Sequence, residues 1–270
     1  MADKGIQKVS PGGLAAAPSH IKRGANKEGS ERLAQFIRPP YVKIVQKQSD
    51  DALLAAFSKG TTILSPANVV VAPPGGSFYI VPLIQYPEYS VRAPIDMKGQ
   101  VPYILDRTTD ANHAIAVKAR NKETWTEKNY KFEDKVIKEV RNVESIVFIV
   151  MIMGDFGMIP CIMTFERSEF KTGRTFATLL QMRNADAFGC VFKATVSDTP
   201  RSNEKGSWYG WDISNPGEGD AYPQWVEDPE LFETFRKMAL EMEKNYQNDL
   251  IRVDYDADAE GAVTETREDL

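Results

Sequence analysis

Two stretches of the chain interleave basic and aromatic residues, a mixture typical of surfaces that bind single-stranded nucleic acid. On such surfaces cations contact the phosphates and exposed rings stack on bases, at about 1–3 kcal/mol per base. The stretches are residues 118–141 and 165–211. In the second stretch we expect the cations to bind phosphates and the rings to stack on bases: Arg167, Lys171, Arg174, Lys193, Arg201, Lys205, Trp208, Tyr209 and Trp211.

The same rings could instead pack in a core, because aromatic burial dominates the energetics of most domains. Both stretches also contain carboxylates, which would neutralise part of the basic charge. The best candidates for exposure are Trp208, Tyr209 and Trp211. These rings follow a polar loop and lie beside Gly206 and Gly210, so we expect at least one of them to contact solvent.

Motifs of enzymes and cofactor-binding proteins are missing from the sequence. The only histidines, His20 and His113, lie in no zinc-binding pattern, and neither a P-loop nor a dinucleotide fingerprint occurs. There is no nucleophile elbow. Cys161 and Cys190 each lie in an apolar, strand-like run, which is typical of small buried side chains. We therefore predict a non-enzymatic protein without a metal or cofactor.

Charge is distributed unevenly along a chain whose formal net charge is −5. Residues 1–48 carry nine basic and three acidic side chains, whereas residues 253–270 carry seven acidic side chains and one arginine. This asymmetry predicts a polyanionic partner, together with an acidic segment that competes for the same surface. Both ends could also be simply solvated arms.

The acidic C-terminal segment predicts a mobile interaction tail, since it cannot bury enough apolar surface to offset the entropy of ordering. Its carboxylates are Asp254, Asp256, Asp258, Glu260, Glu265, Glu268 and Asp269. The spacing resembles a calcium-binding loop, but Ala259 stands where that loop requires glycine. A solubilising terminus is the alternative interpretation.

Periodicity predicts a mainly β (α+β) fold. We expect strands at 41–45, 77–86, 144–153, 158–165, 188–196 and 207–213, and a β-rich stretch at 61–71. We expect helices at 50–57, 111–120, 175–183 and 229–248, the last with Asp228 as its N-cap.

The simplest domain organisation is a flexible basic arm at 1–35, one compact domain at 36–250 and the acidic tail at 251–270. No apolar run reaches the roughly 20 residues of a membrane helix, and no signal-peptide pattern is visible. We expect a cytoplasmic protein that does not contact a membrane.

Three segments resemble the single-stranded DNA-binding proteins of bacteriophage replication. They are RPPYVKIVQKQSD (38–50), FKTGRTFATLLQMR (170–183) and GSWYGWDISNP (206–216), within a β-rich body that is followed by a helix and an acidic tail. The resemblance implies an OB-fold-like five-stranded barrel, with inserted helices and a C-terminal helix. It further implies sequence-independent binding of single-stranded DNA during replication or recombination in the host cytoplasm.

The resemblance also implies that the tail recruits replication proteins, a polymerase or a helicase, and occupies the DNA groove when DNA is absent. Such tails often end on an aromatic residue, whereas this chain ends Glu268-Asp269-Leu270. A homo-oligomer is compatible with this interpretation. Two alternatives remain open: a structural or assembly protein of a virus particle, and a metal-dependent nuclease whose carboxylates converge only in the folded chain.

Overall fold

A computed structural model describes residues 40–47, 49, 51–94, 101–121, 126–154, 157–203 and 206–247. The predicted arm at 1–35 and the predicted tail at 251–270 lie outside these described residues, as does Lys205.

Strands and helices alternate irregularly along the described chain. The strands are β1 (Tyr41–Ile44), β2 (Thr62–Ser65), β3 (Val69–Ala72), β4 (Ser77–Arg92), β5 (Ile104–Thr108), β6 (Thr126–Glu127), β7 (Tyr130–Phe132), β8 (Lys135–Ile137), β9 (Val140–Gly154), β10 (Gly157–Glu166), β11 (Phe192–Val196), β12 (Arg201–Asn203), β13 (Gly206–Trp208) and β14 (Trp211–Ser214). The α-helices are α1 (Asp51–Ala56), α2 (Ala114–Arg120), α3 (Phe170–Met182) and α4 (Pro229–Gln247).

One large sheet contains most of these strands. Its order is β14-β11-β4-β9-β10-β1-β2-β3, with β5 paired to β4 and β6 paired to β9. β1 runs parallel to β10, and the other pairs of the sheet are antiparallel. The sheet curls into a half-barrel. As a result the indole Nε1 of Trp211, on the edge strand β14, donates to the Thr62 hydroxyl on β2 at 3.2 Å.

The central strand β9 is apolar on both faces because each face is covered. Phe148, Val150 and Ile152 point into the cluster inside the curl, and Val147 and Ile149 point into the cluster on the outer face. Alternate side chains of a strand point to opposite faces, so a strand covered on both sides reads as a continuous apolar run. This explains the unbroken run at 146–153 in the sequence.

Helix α3 packs against the inner face of the sheet through Phe176, which is fully buried. The Phe176 ring stacks on Phe148 with a centroid distance of 4.2 Å. Gly173 permits this approach, since a Cβ there would lie 2.6 Å from the Cβ of Phe165 on β10. Tertiary packing therefore keeps a glycine inside the helix despite its low helix propensity.

Helix α4 covers the outer face. Phe235 and Ala239 are buried against it, and Tyr246 near the helix end stacks on Tyr86 with ring centroids 4.3 Å apart. The Asp228 carboxylate accepts from the Glu230 amide at 2.9 Å, which confirms the predicted N-cap.

The prediction of a mainly β fold is confirmed, whereas the five-stranded OB-like barrel is not. The large sheet contains ten strands instead of five. Two helices begin elsewhere than predicted: α2 begins at Ala114 with His113 as its N-cap, and α3 begins at Phe170 instead of residue 175. None of the helices in the described ranges is long and apolar enough to cross a membrane.

The predicted aromatic strand at 207–213 is wrong in one respect, because it is two strands. β13 pairs with β12 in a small hairpin, and β14 pairs with β11 in the large sheet. The chain changes direction at Tyr209 and Gly210, which lie between the two strands.

Candidate nucleic-acid interface

A pocket of about 630 Å³ lies where α2, β9 and the first turns of α3 meet. Its lining consists of basic, hydroxyl and apolar side chains together with one carboxylate: Ala119, Arg120, Glu144, Arg167, Phe170, Lys171, Arg174, Thr175, Thr178 and Leu179. Three of the predicted phosphate-binding residues, Arg167, Lys171 and Arg174, thus meet in one place.

The basic residues of the pocket come from three local settings. Lys171 and Arg174 are one turn apart on α3 and are both exposed. Arg167 lies in the 3-10 turn before α3, with φ of 49° and a guanidinium nitrogen 3.4 Å from the Tyr103 hydroxyl. Arg120, in the last turn of α2, lies over the Tyr89 ring at 5.6 Å and donates to main-chain oxygens of its own helix region.

A partly buried ion pair supports the turn that carries Arg167. Arg92, only 2% exposed, donates to both carboxylate oxygens of Glu166, the residue before Arg167. Burial raises the pKa of Glu166, but the charge and hydrogen bonds of Arg92 outweigh it and leave that pKa below its ordinary value. Since Glu166 stays ionised and bound to Arg92, the turn has a fixed anchor on the sheet.

Glu144 on β9 is the single carboxylate among the described residues that line the pocket. Burial raises its pKa, and the nearby charges of Arg120 and Arg174 only partly oppose that rise. Within the described part of the chain no side chain donates a hydrogen bond to it. Four cations and one carboxylate give the pocket a clear positive charge, which suits phosphate groups.

Of the remaining predicted cations, Lys193 and Arg201 are among the described residues, and both lie elsewhere and are paired. Lys193 on β11 contacts Asp220 at 2.6 Å. Hydrogen bonds from Lys193 and from the Gly217 amide lower the pKa of Asp220 to about 2. Arg201 on β12 binds Glu169 at 3.2 Å and Asp212 at 2.9 Å. The structure therefore does not bring these two residues to the pocket.

Two of the predicted aromatic residues, Trp208 and Trp211, contact Glu169 instead of lining the pocket. The Trp208 indole donates to the Glu169 carboxylate at 2.9 Å, and the Trp211 amide donates to it at 3.1 Å. Gly210 is required here, because a Cβ would lie 2.2 Å from a carboxylate oxygen of Glu169. Together with Arg201, these groups form what we call the Glu169 cluster: Glu169, Arg201, Trp208, Gly210 and Trp211.

The buried position of Trp211 is incompatible with the predicted stacking of its ring on bases. Its ring is 4% exposed and packs edge-on against Phe165 with centroids 5.8 Å apart. A ring enclosed in this way offers no face to a base. Tyr209 and Trp208 are half-buried, and the Tyr209 amide donates to the Gln46 side chain at 2.9 Å.

The sequence-based prediction missed Arg120, Glu144 and Phe170 as pocket residues. Arg120 belongs to the first basic and aromatic stretch, so composition alone could have identified it. Nothing near Glu144 in sequence distinguishes it from other acids. Within the described residues no group of three or more histidine, cysteine or carboxylate side chains could hold a metal ion.

Comparison of the whole sequence and fold with known proteins gives a single kind of match. No curated protein and no solved structure matches the chain. A family model described as Pam3 phage gp34-like protein matches residues 11–247. Because this match covers most of the sequence, the chain belongs to the family of Pam3 phage gp34-like proteins.

Proposed function

We propose that the protein binds single-stranded DNA without catalysing a reaction, and that the pocket beside α3 holds the phosphates. The observation that supports this most is the meeting of Arg120, Arg167, Lys171 and Arg174 around one cavity. Arginine and lysine in such a group neutralise successive phosphates, which is the main source of sequence-independent affinity. Membership of a phage family is compatible with a role in phage DNA replication or recombination.

An aromatic side chain complements the cations. The hydroxyls of Thr175 and Thr178 also line the pocket, but each donates to a main-chain oxygen of α3, that of Lys171 at 3.1 Å and that of Arg174 at 2.9 Å, so the cations supply the contacts to phosphate. Phe170, at the start of the same helix, is half-buried and lines the cavity, where it can stack on a base. This division of roles differs from the sequence-based one, in which Trp208, Tyr209 and Trp211 were the candidates for stacking on bases. We further propose that the curled sheet is a variant of an OB-like barrel.

The acidic tail remains part of the proposal as a competitor and as a recruiter of a polymerase or helicase. Its seven carboxylates oppose the positive pocket in charge. Truncation after Arg252 is expected to tighten binding of DNA at low salt and to abolish binding of replication partners. Unchanged affinity and unchanged partner binding would leave the tail as a solvated end.

Salt dependence of oligonucleotide binding tests the proposed function. The measurement is fluorescence anisotropy of a labelled thymidine oligonucleotide at increasing salt. Four neutralised phosphates predict a slope of about −3 in log affinity against log salt, since each contact on a single strand contributes about −0.7. Undetectable binding at micromolar protein and low salt, with or without the tail, would contradict the proposal. Large assemblies that form without DNA would favour an assembly protein instead.

A further inference from the structure

Glu144 is out of place in a pocket that only binds phosphate. Its carboxylate is partly buried beside Arg120 and Arg174 and would repel an approaching phosphate. The side chain is half-buried, and no described residue donates to its carboxylate, so its oxygens are open to a donor that enters the pocket. An ionised carboxylate is an acceptor only, with two oxygens side by side. The pocket therefore combines sites for an anion with one site for a hydrogen-bond donor.

The dimensions of the pocket allow more than a phosphate group to enter. Sites that enclose small molecules have volumes of roughly 300–1,000 Å³, and this pocket has about 630 Å³. Phe170, Leu179 and Ala119 contribute apolar surface beside the charged groups. A ligand that is anionic at one end, flat and apolar in the middle and rich in donors at its edge would match all three parts of this lining.

We propose that the pocket takes up one whole nucleotide of the bound strand, with the base inside and Glu144 reading its edge. This inference rests on the proposed function and names the ligand of the same site. Single-stranded nucleic acids are commonly recognised in this manner, with an unstacked base placed on an aromatic side chain and hydrogen-bonded along its Watson–Crick edge.

Among the four bases, guanine matches Glu144 best. Its Watson–Crick edge presents two neighbouring donors, N1–H and the N2 amino group, which fit the two oxygens of a carboxylate. Adenine and cytosine each present one amino donor next to an unprotonated ring nitrogen, which repels the second oxygen. Thymine presents a single N–H between two carbonyls. The protein is thus a general binder of single strands with a preference for guanine at one position.

The test uses thymidine oligonucleotides of about 12 nucleotides, within the roughly 4–16 that one such domain covers. Each carries one central dG, deoxyinosine, dA, dC or dT. For the unaltered protein we expect dG to bind about fivefold more tightly than dT, the lower end for a bidentate base contact. Deoxyinosine, which lacks the amino group, is expected to fall between them.

The variant Glu144→Gln separates base reading from simple repulsion. An amide accepts through one oxygen only, so the preference for dG should disappear, while dT should bind more tightly because a negative charge has been removed. Glu241→Gln, on an exposed part of α4, is the matched control and should change neither affinity. Thermal melting establishes that both variants are folded.

The outcomes are distinguishable from failure of the proposed function. Equal affinities for all five oligonucleotides, with normal salt dependence, would overturn the base-reading role and leave DNA binding intact. A rise in affinity that is the same for every oligonucleotide in Glu144→Gln would also overturn it, because it indicates repulsion alone. Absence of binding to every oligonucleotide would overturn both proposals.

Discussion

The pocket beside α3 and the Glu169 cluster are neighbours in sequence, since Arg167 of the pocket and Glu169 of the cluster are two residues apart, and both contain basic, acidic and aromatic residues. In the pocket four cations face one carboxylate that receives no hydrogen bond from the described residues. In the Glu169 cluster a single carboxylate accepts from Arg201, from the Trp208 indole and from the Trp211 amide. Basic and aromatic residues therefore form a binding surface only where acidic side chains do not already neutralise them.

Substitutions in the two regions should therefore have different effects. Changes in the Glu169 cluster should lower stability, because its groups are buried or paired with one another. Changes in the pocket should lower DNA affinity and leave stability nearly unchanged, because Lys171 and Arg174 are exposed on α3. The predictions below test the contrast, beginning with the largest effect.

Trp211→Ala is expected to lower the free energy of unfolding by about 3–5 kcal/mol, the range for removing a large buried ring. The ring packs inside the curled sheet and donates to Thr62, so its removal leaves both a cavity and an unpaired hydroxyl. Chemical denaturation measures the loss. Trp225→Ala, at a ring that is 44% exposed, serves as the control and should cost less. Equal losses for the two variants would argue against the buried position of Trp211.

Glu169→Ala is expected to cost about 1–3 kcal/mol, since it leaves the partly buried Trp208 indole and Trp211 amide without an acceptor and removes one of the two carboxylates that bind Arg201. The melting temperature measures this change. Glu241→Ala, on an exposed part of α4, should alter stability by no more than about 0.5 kcal/mol. If Glu169→Ala instead weakened DNA binding without loss of stability, the two regions would have to be regarded as one binding surface.

A smaller effect is expected from pH. The pKa of Glu144 is raised above 4.5, chiefly by burial, so the carboxyl takes up a proton in a range where ordinary glutamates are still ionised. Protonation removes the negative charge from the pocket, and DNA affinity should therefore rise as pH falls towards that raised pKa. The stability of the fold changes with pH in the same direction. Because the folded state binds the Glu144 proton more tightly than the unfolded state does, the stabilisation that comes from protonating Glu144 is lost as pH rises.

Affinity measured between pH 7 and pH 5 tests the role of Glu144, with Glu144→Gln as the comparison. In the variant the part of the pH dependence that comes from this carboxyl should vanish. An identical rise in both proteins would assign the pH effect to other groups.

The sequence predicts those parts of the fold and site that depend on neighbouring residues. Helix α4 was predictable because Asp228 caps it, Pro229 opens it and its apolar side chains recur at helical spacing. Lys171 and Arg174 lie on one side of α3 because they are three residues apart. The sequence-based helix began at residue 175, however, and Arg167 lies before α3, so helical spacing did not predict that the three cations meet. Local signals suffice for α4.

Other features depend on contacts between distant parts of the chain. The early start of α3 depends on Gly173 lying against Phe165, which no local propensity indicates. Arg120 and Glu144 reach the pocket only through the packing of α2 and β9 against α3. The burial of Trp211 depends on the break at Gly210, where the chain passes from a small hairpin to the large sheet.

The proposal that the cations beside α3 bind phosphates is tested most directly by the double variant Lys171→Ala/Arg174→Ala. Its matched control is Lys237→Ala/Arg236→Ala, which removes the same charges from an exposed part of α4. Anisotropy with a labelled thymidine oligonucleotide should show a loss of about tenfold or more for the pocket variant. Its salt slope should become shallower by about 1.4, since two contacts are lost. Equal affinities for the pocket variant, the control variant and the unaltered protein would contradict the account.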